Sequence, residues 1–162
     1  MKCPAIELRE VTPSDLPVFY EQQLDPEANR MAAFPARDRN AFMKHWSKIL
    51  EDGSGVVRAV VADGELAGNI VAWGSPGERK VGYWIGRDFW GRGIASAALK
   101  EFLQLVDERP LLAHVARRNA ASIRVLEKCG FTVQRNQIAG SFAGDDEVEE
   151  LLMVLDDSQS VP

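Results

Sequence analysis

The chain is poor in cysteine: Cys3 and Cys129 are the only two among 162 residues. Two are too few for the disulfide framework of a small secreted domain, and they are not spaced as zinc ligands. No metal is expected, and a cytoplasmic, reducing compartment fits best. Long apolar runs are missing as well. The stretch from Val56 to Ala62 is short and holds Arg58, so it cannot span a bilayer. The first residues lack the basic-then-apolar pattern of a signal peptide. Nor is there an excess of positive charge. A formal net charge of -5 gives no general attraction to nucleic acid or anionic membrane, so any anion site must be local. Repeats and low-complexity linkers are absent too, and residues 1–162 are therefore expected to form a single domain with its core over about residues 6–155. A hydrophobic content of 46% suffices to build that core.

What is present alternates between strand and helix periods. Ile6 to Val11 alternates apolar and polar residues, and Thr12-Pro13-Ser14-Asp15 supplies helix-start chemistry for a helix to about Gln22. Asp25 to Asp38, with Pro26 and Pro35, reads as a loop; Arg39 to Leu50 is helical again through Phe42, Trp46, Ile49 and Leu50. Val56–Ala62 and Leu66–Trp73 flank Asp63-Gly64-Glu65, the pattern of a tight hairpin. Lys80–Ile85 adds a third strand, Arg92 to about Val106 a long helix, and Leu111–Val115 a further strand. Asn119–Lys128 is helical and stops at Gly130, which suits a left-handed cap. Phe131–Ile138 and Glu147–Leu155 are the last strands, separated by Gly140 to Asp146, and the tail from Asp156 is polar. The order predicts an α/β (α+β) fold with a mixed sheet and helices on its faces.

One segment carries anion-binding chemistry. Gly91-Arg92-Gly93-Ile94-Ala95-Ser96 lies between a strand and a strong helix, where free backbone N–H groups and the helix dipole attract negative charge. The glycines allow close approach, Ala95 and Ser96 keep the first turn open, and Arg92 can contact a phosphate. Gly-x-Gly before a helix also occurs as a plain turn. A Rossmann fingerprint would need its glycines after the first strand, and a P-loop would need Gly-Lys-Ser/Thr; neither pattern is here.

Trp90-Gly91-Arg92-Gly93-Ile94-Ala95 resembles the Gln/Arg-x-x-Gly-x-Gly/Ala signature of the GNAT superfamily of acyl-CoA-dependent N-acyltransferases, matching at Gly93 and Ala95. Trp90 stands where the signature has Gln or Arg, a departure similar to the ribosomal-protein N-terminal acetyltransferase branch. A second block, Asn119 to Phe131, is similar to the superfamily's Asn-x-x-Ser-x-x-x-x-Glu-Lys-x-Gly-Phe motif. The resemblance implies a mostly antiparallel central sheet of about seven strands, acetyl-CoA as cosubstrate and an amine acceptor; members of the family often pair as homodimers, which leaves the oligomeric state open.

It also implies roles. The pantetheine arm would pair with the strand edge Tyr83-Trp84-Ile85, where an N–H can polarise the thioester carbonyl; as side chains these are equally ordinary sheet residues. Asn119 would contact the cofactor arm, yet it also suits an N-cap. Ser122, one turn on, could hydrogen-bond the coenzyme sulfur or protonate the leaving thiolate, or be a solvated serine. Many family members carry a tyrosine acid seven residues after the Asn; Leu126 stands here and cannot transfer a proton. His114 lies where N-terminal acetyltransferases of this type carry a base, and imidazole titrates in the useful range, though a strand histidine is often structural.

His45 reads as a surface or packing residue, Phe34, Phe42 and Trp46 as core rather than acceptor pocket, and Cys129 as core, so a covalent cysteine intermediate is not expected. The run Asp145, Asp146, Glu147, Glu149 and Glu150 reads as a solvated edge or as a lure for a cationic amine. Three functions follow: an N-acetyltransferase acting on a protein α-amine or a small amine by direct attack in a ternary complex; a non-catalytic acyl-CoA-binding or sensor domain; and a nucleotide-binding α/β protein.

Overall fold

The computed structural model describes residues 4–32, 36–140 and 147–156. Phe34, Pro35, Cys3, Asp145, Asp146 and the tail after Asp156 lie outside the described residues. The chain runs β1 (Ile6–Arg9), α1 (Leu16–Gln23), α2 (Pro26–Ala32), α3 (Arg39–Glu51), β2 (Val56–Ala62), β3 (Glu65–Trp73), β4 (Arg79–Ile85), α4 (Ile94–Leu105), β5 (Leu111–Ala116), α5 (Ala120–Lys128), β6 (Thr132–Gly140) and β7 (Glu147–Leu155). Short 3-10 turns cover Pro13–Asp15 and Arg87–Phe89. The strands form one seven-stranded sheet in the order β1-β2-β3-β4-β5-β7-β6. Every pairing is antiparallel except β4 with β5. The expected mixed, mostly antiparallel sheet of seven strands is therefore present.

Adjacent residues of a strand point to opposite faces, and the core divides accordingly. Val60, Ile70, Val81, Leu111 and Met153 pack with Ile94, Leu99 and Phe102 of α4 and with Leu126 of α5. Ala59, next to Val60, belongs to a second cluster with Leu16, Phe19, Phe42 and Trp46 of α1 and α3. Helices thus cover both faces. Phe42 and Trp46 are core residues, with Phe19 and Trp46 ring centroids 5.1 Å apart. The hairpin after β2 has Asp63 at φ 48° and Gly64 at φ 83°, the positive angles that its Asp-Gly pair predicts. Gly130, at φ 98°, closes α5.

The structure corrects the sequence reading at three places. The stretch from Asp25 to Asp38 is not all loop, because α2 occupies Pro26–Ala32. Pro26 sits at the first helical position, where no N–H is needed, and the Asp25 carboxylate caps the turn by accepting from the Ala28 N–H at 2.8 Å. β1 ends at Arg9 rather than Val11. There the Asp15 carboxylate accepts from the Thr12 N–H (2.8 Å) and pairs with Arg9 (2.8 Å), turning the chain out of the sheet. α4 begins at Ile94 and not Arg92, since Gly91 and Gly93 hold φ 78° and 76°, outside the helical region.

Candidate acyl-transfer site

The site begins with an interruption in the sheet. β4 and β5 pair only at Arg79 with Leu111 and Lys80 with Leu112, and beyond Lys80 the two strands part. On its other edge β4 stays paired with β3, from Trp73–Lys80 to Gly68–Ile85. The edge of β4 from Val81 to Ile85 that faces β5 is thus left without a ladder partner. Its two aromatic side chains leave in opposite directions. The Trp84 indole N–H donates to the Gln22 carbonyl of α1 at 3.2 Å, whereas the Tyr83 hydroxyl reaches Ser122 of α5. Backbone is what remains at the opening.

The turn into α4 adjoins the same opening. Gly91 and Gly93 are both left-handed, a conformation that costs an L-residue about 1–2 kcal/mol. Gly93 serves as N-cap, and the first intrahelical bond runs from the Ala97 N–H to its carbonyl at 3.1 Å. The N–H groups of Ile94, Ala95 and Ser96 precede that bond and have no acceptor within the helix. Trp90 fixes the turn to the sheet, its indole N–H donating to the Ile85 carbonyl at 2.9 Å.

These elements enclose a cleft of about 430 Å³. From the predicted set, Tyr83, Trp84 and Ile85 of β4 line it, with Gly91, Gly93, Ile94, Ala95 and Ser96 of the turn and Asn119 and Ser122 of α5. Three groups of lining residues were not foreseen. Ala28, Met31 and Ala32 come from α2, a helix that the two prolines of its segment conceal in the sequence. Phe89 lies in the turn before Trp90. Arg124 and Lys128 bring positive charge from α5; their four-residue spacing puts them on one side of a helix, a signal the sequence did offer.

Within the cleft the Tyr83 and Ser122 oxygens are 2.6 Å apart. Burial pushes the Tyr83 phenol up to about 12, partly opposed by the bond to Ser122 and aided by the Cys129 thiol. Asn119 is the N-cap of α5, its Oδ1 accepting from the Ser122 N–H at 3.2 Å, which leaves its amide NH₂ for the cleft. Leu126 is 3% exposed and belongs to the core. Cys129 is buried, with its Sγ 3.9 Å from the Ser96 carbonyl and its thiol raised by burial, the setting of an inert structural cysteine.

Two predicted residues lie apart from the lining. The Arg92 guanidinium sits 5.6 Å from the Phe89 ring centroid, a cation–π distance. His114 faces away from Ala113 and Val115, which pack in the α4–α5 core. Its Nδ1 is 3.0 Å from Oε1 of Glu150. Nearby, Arg117, just after β5, pairs with Glu149 at 2.7 Å, so Glu149 and Glu150 of the acidic run are both engaged in pairs.

With this geometry in place, the model of the acetyltransferase (GNAT) domain matches residues 5–132, most of the chain. The chain belongs to the GNAT acetyltransferase family. By that membership it is an acetyltransferase enzyme. The spermidine N-acetyltransferase from Vibrio cholerae, solved with CoA and spermine, shares its fold at a TM-score of 0.82 and 15% identity, over 95% of this chain and 96% of that one. A ribosomal L7/L12 alpha-N-protein acetyltransferase in complex with coenzyme A gives 0.80 at 21% identity, over 93% of each chain. A GNAT-family acetyltransferase from Bacillus anthracis gives 0.79 at 17% identity, over 97% and 98%. No curated protein sequence matches the chain. Among the described residues no helix is long and apolar enough to cross a membrane.

Proposed function

We propose that this GNAT acetyltransferase moves an acetyl group from acetyl-CoA to a primary amine, by direct attack of the amine within a ternary complex. The observation that carries the reading is the opening between β4 and β5, with a left-handed glycine turn at one end of its cleft and a hydroxyl pair at its wall. A pyrophosphate would lie on the N–H groups of Ile94, Ala95 and Ser96, with Arg124 and Lys128 adding charge. The pantetheine arm would run along the unpaired edge at Tyr83, Trp84 and Ile85, beside the Asn119 amide. A main-chain N–H there would hold the thioester oxygen as it becomes anionic.

The amine would come from the other face of the sheet. His114 lies on that face, and in the tautomer that donates from Nδ1 to Glu150 its Nε2 is free to take a proton from the substrate ammonium, which frees the nitrogen lone pair for attack. Ser122 would meet the departing sulfur. Thiols titrate near about 8.5, so the thiolate is a fair leaving group even with Leu126 in the tyrosine's place. The inert Cys129 is consistent with transfer that needs no acyl-cysteine, and a free buried thiol suits a cytoplasmic setting. The acceptor is proposed to be a protein N-terminal α-amine or a small amine. The two relatives solved with CoA are named for one of each kind.

The experiment mixes the protein with acetyl-CoA and a panel of amines, including spermine and short peptides with free N-termini, and follows release of CoA thiol. Thiol release that depends on amine supports the proposal. Tight CoA binding with no release across the panel would favour the sensor alternative.

A further inference from the structure

We propose that Tyr83 is a positioning residue for Ser122: its phenol donates to the serine oxygen and so turns the serine hydrogen outward, toward the sulfur of a bound CoA. This rests on the reading that CoA occupies the cleft. Both side chains line that cleft, and their oxygens are 2.6 Å apart. Each hydroxyl has a single hydrogen, so only one of the two can lie in their shared bond. The phenol is much the stronger acid of the two, which makes it the donor. Its hydrogen is then committed and that of Ser122 is left for the cleft. Burial of Tyr83 acts the same way, since it holds the phenol in its neutral, donating form.

The aromatic N–H donors of the lining are already engaged. The indole N–H groups of Trp84 and Trp90 go to the carbonyls of Gln22 and Ile85. Ser96 sits in the first turn of α4, where the pyrophosphate is placed. The Asn119 bond to the Ser122 N–H fixes the serine backbone, so the tyrosine contact sets what is left, the rotamer of the side chain and the direction of its hydroxyl hydrogen. In the transfer, the amine nitrogen bonds to the thioester carbon and the C–S bond breaks with its electron pair going to sulfur. The sulfur, held by the Ser122 hydrogen, takes up one proton, equal to the one the neutral amine gives up on becoming an amide; the earlier proton of the ammonium has gone to His114. Tyr83 keeps its own proton throughout.

The test needs no acceptor. CoA is bound to the wild-type protein, to Tyr83→Phe, to Ser122→Ala and to the double variant, and its thiolate is followed by ultraviolet absorbance against pH, with each free protein subtracted. Arg92, Arg124, Lys128 and the Cys129 thiol are common to all four, and the Tyr83 phenol, absent from two of them, titrates only near about 12. The bound thiol should titrate about one unit higher in each single variant than in the wild type. The double variant should go no further than Ser122→Ala, because one residue acts through the other. Equal titration in the wild type and Tyr83→Phe, or additive shifts in the double variant, would overturn the inference. Failure of the wild type to bind CoA would instead overturn the proposed function on which it rests.

Discussion

Nδ1 of His114 on β5 lies 3.0 Å from Oε1 of Glu150 on β7, so a histidine–carboxylate pair bridges neighbouring strands on the sheet face away from α4 and α5. If His114 relays the proton of the amine, His114→Ala should lower kcat by about a hundredfold or more. CoA affinity should be unchanged, since His114 does not line the cleft. Glu150→Gln should lower kcat less, because it loosens the ring without removing it. Steady-state kinetics with calorimetric CoA titration checks both, and unchanged turnover in His114→Ala would remove it from the mechanism.

Gly93 holds φ 76° at the N-cap of α4. Gly93→Ala should cost about 1–2 kcal/mol of local strain and weaken CoA binding by on the order of tenfold. A fully folded variant with wild-type CoA affinity would detach the turn from the ligand.

The raised Tyr83 phenol predicts an alkaline effect on stability. Its folded pKa of about 12 lies above the ordinary 10.0, so the folded state holds the proton longer than the unfolded chain does. The contribution of Tyr83 is therefore full below about pH 10 and is lost as pH rises toward about 12. Urea denaturation over that range should show a shallower decline for Tyr83→Phe than for the wild type. Parallel declines would place the phenol in solvent.

At the acid end the Asp15 carboxylate is held below its usual range, chiefly by the Arg9 guanidinium and also by the Thr12 N–H, while burial opposes them. Its stabilisation is present above the unfolded carboxylate pKa and is lost as pH falls through the lower folded value. Asp15→Asn should lower Tm at neutral pH, and the difference from the wild type should shrink below about pH 4. A Tm difference that persists undiminished in acid would assign the loss to packing instead.

Much of this was legible from the residues. Strands β2, β3 and β7 and helix α5 follow from apolar period, an Asp-Gly turn and the Asn119 and Gly130 boundaries, all of which act within a few residues. α2 was hidden because Pro26 looked like a break, and only the capping bond from Ala28 to Asp25 reveals it as a start. Tyr83–Ser122 and His114–Glu150 join residues 39 and 36 positions apart. Such contacts come from the side chains of α5 meeting those of β4 across the cleft and from the strand order β5-β7, which no local pattern encodes. The contact of Arg92 with Phe89 is local, three residues apart in the turn before α4.

The ligand class can be tested by thermal stability. A ligand that binds only the folded state at about a hundred times its Kd adds about 2.7 kcal/mol. CoA and acetyl-CoA should raise Tm, and NAD and ATP should not. Stabilisation by NAD or ATP alone would return the glycine turn to a general nucleotide site.

Most directly, acetyl-CoA carrying an isotopically labelled acetyl group can be incubated with the protein and either spermine or a peptide with a free N-terminus, and the products weighed by mass spectrometry. Direct transfer puts label on the amine nitrogen in amounts equal to the free thiol released, with none on the protein. Label that stays on the thioester with every amine, or that collects on the protein chain, would contradict it.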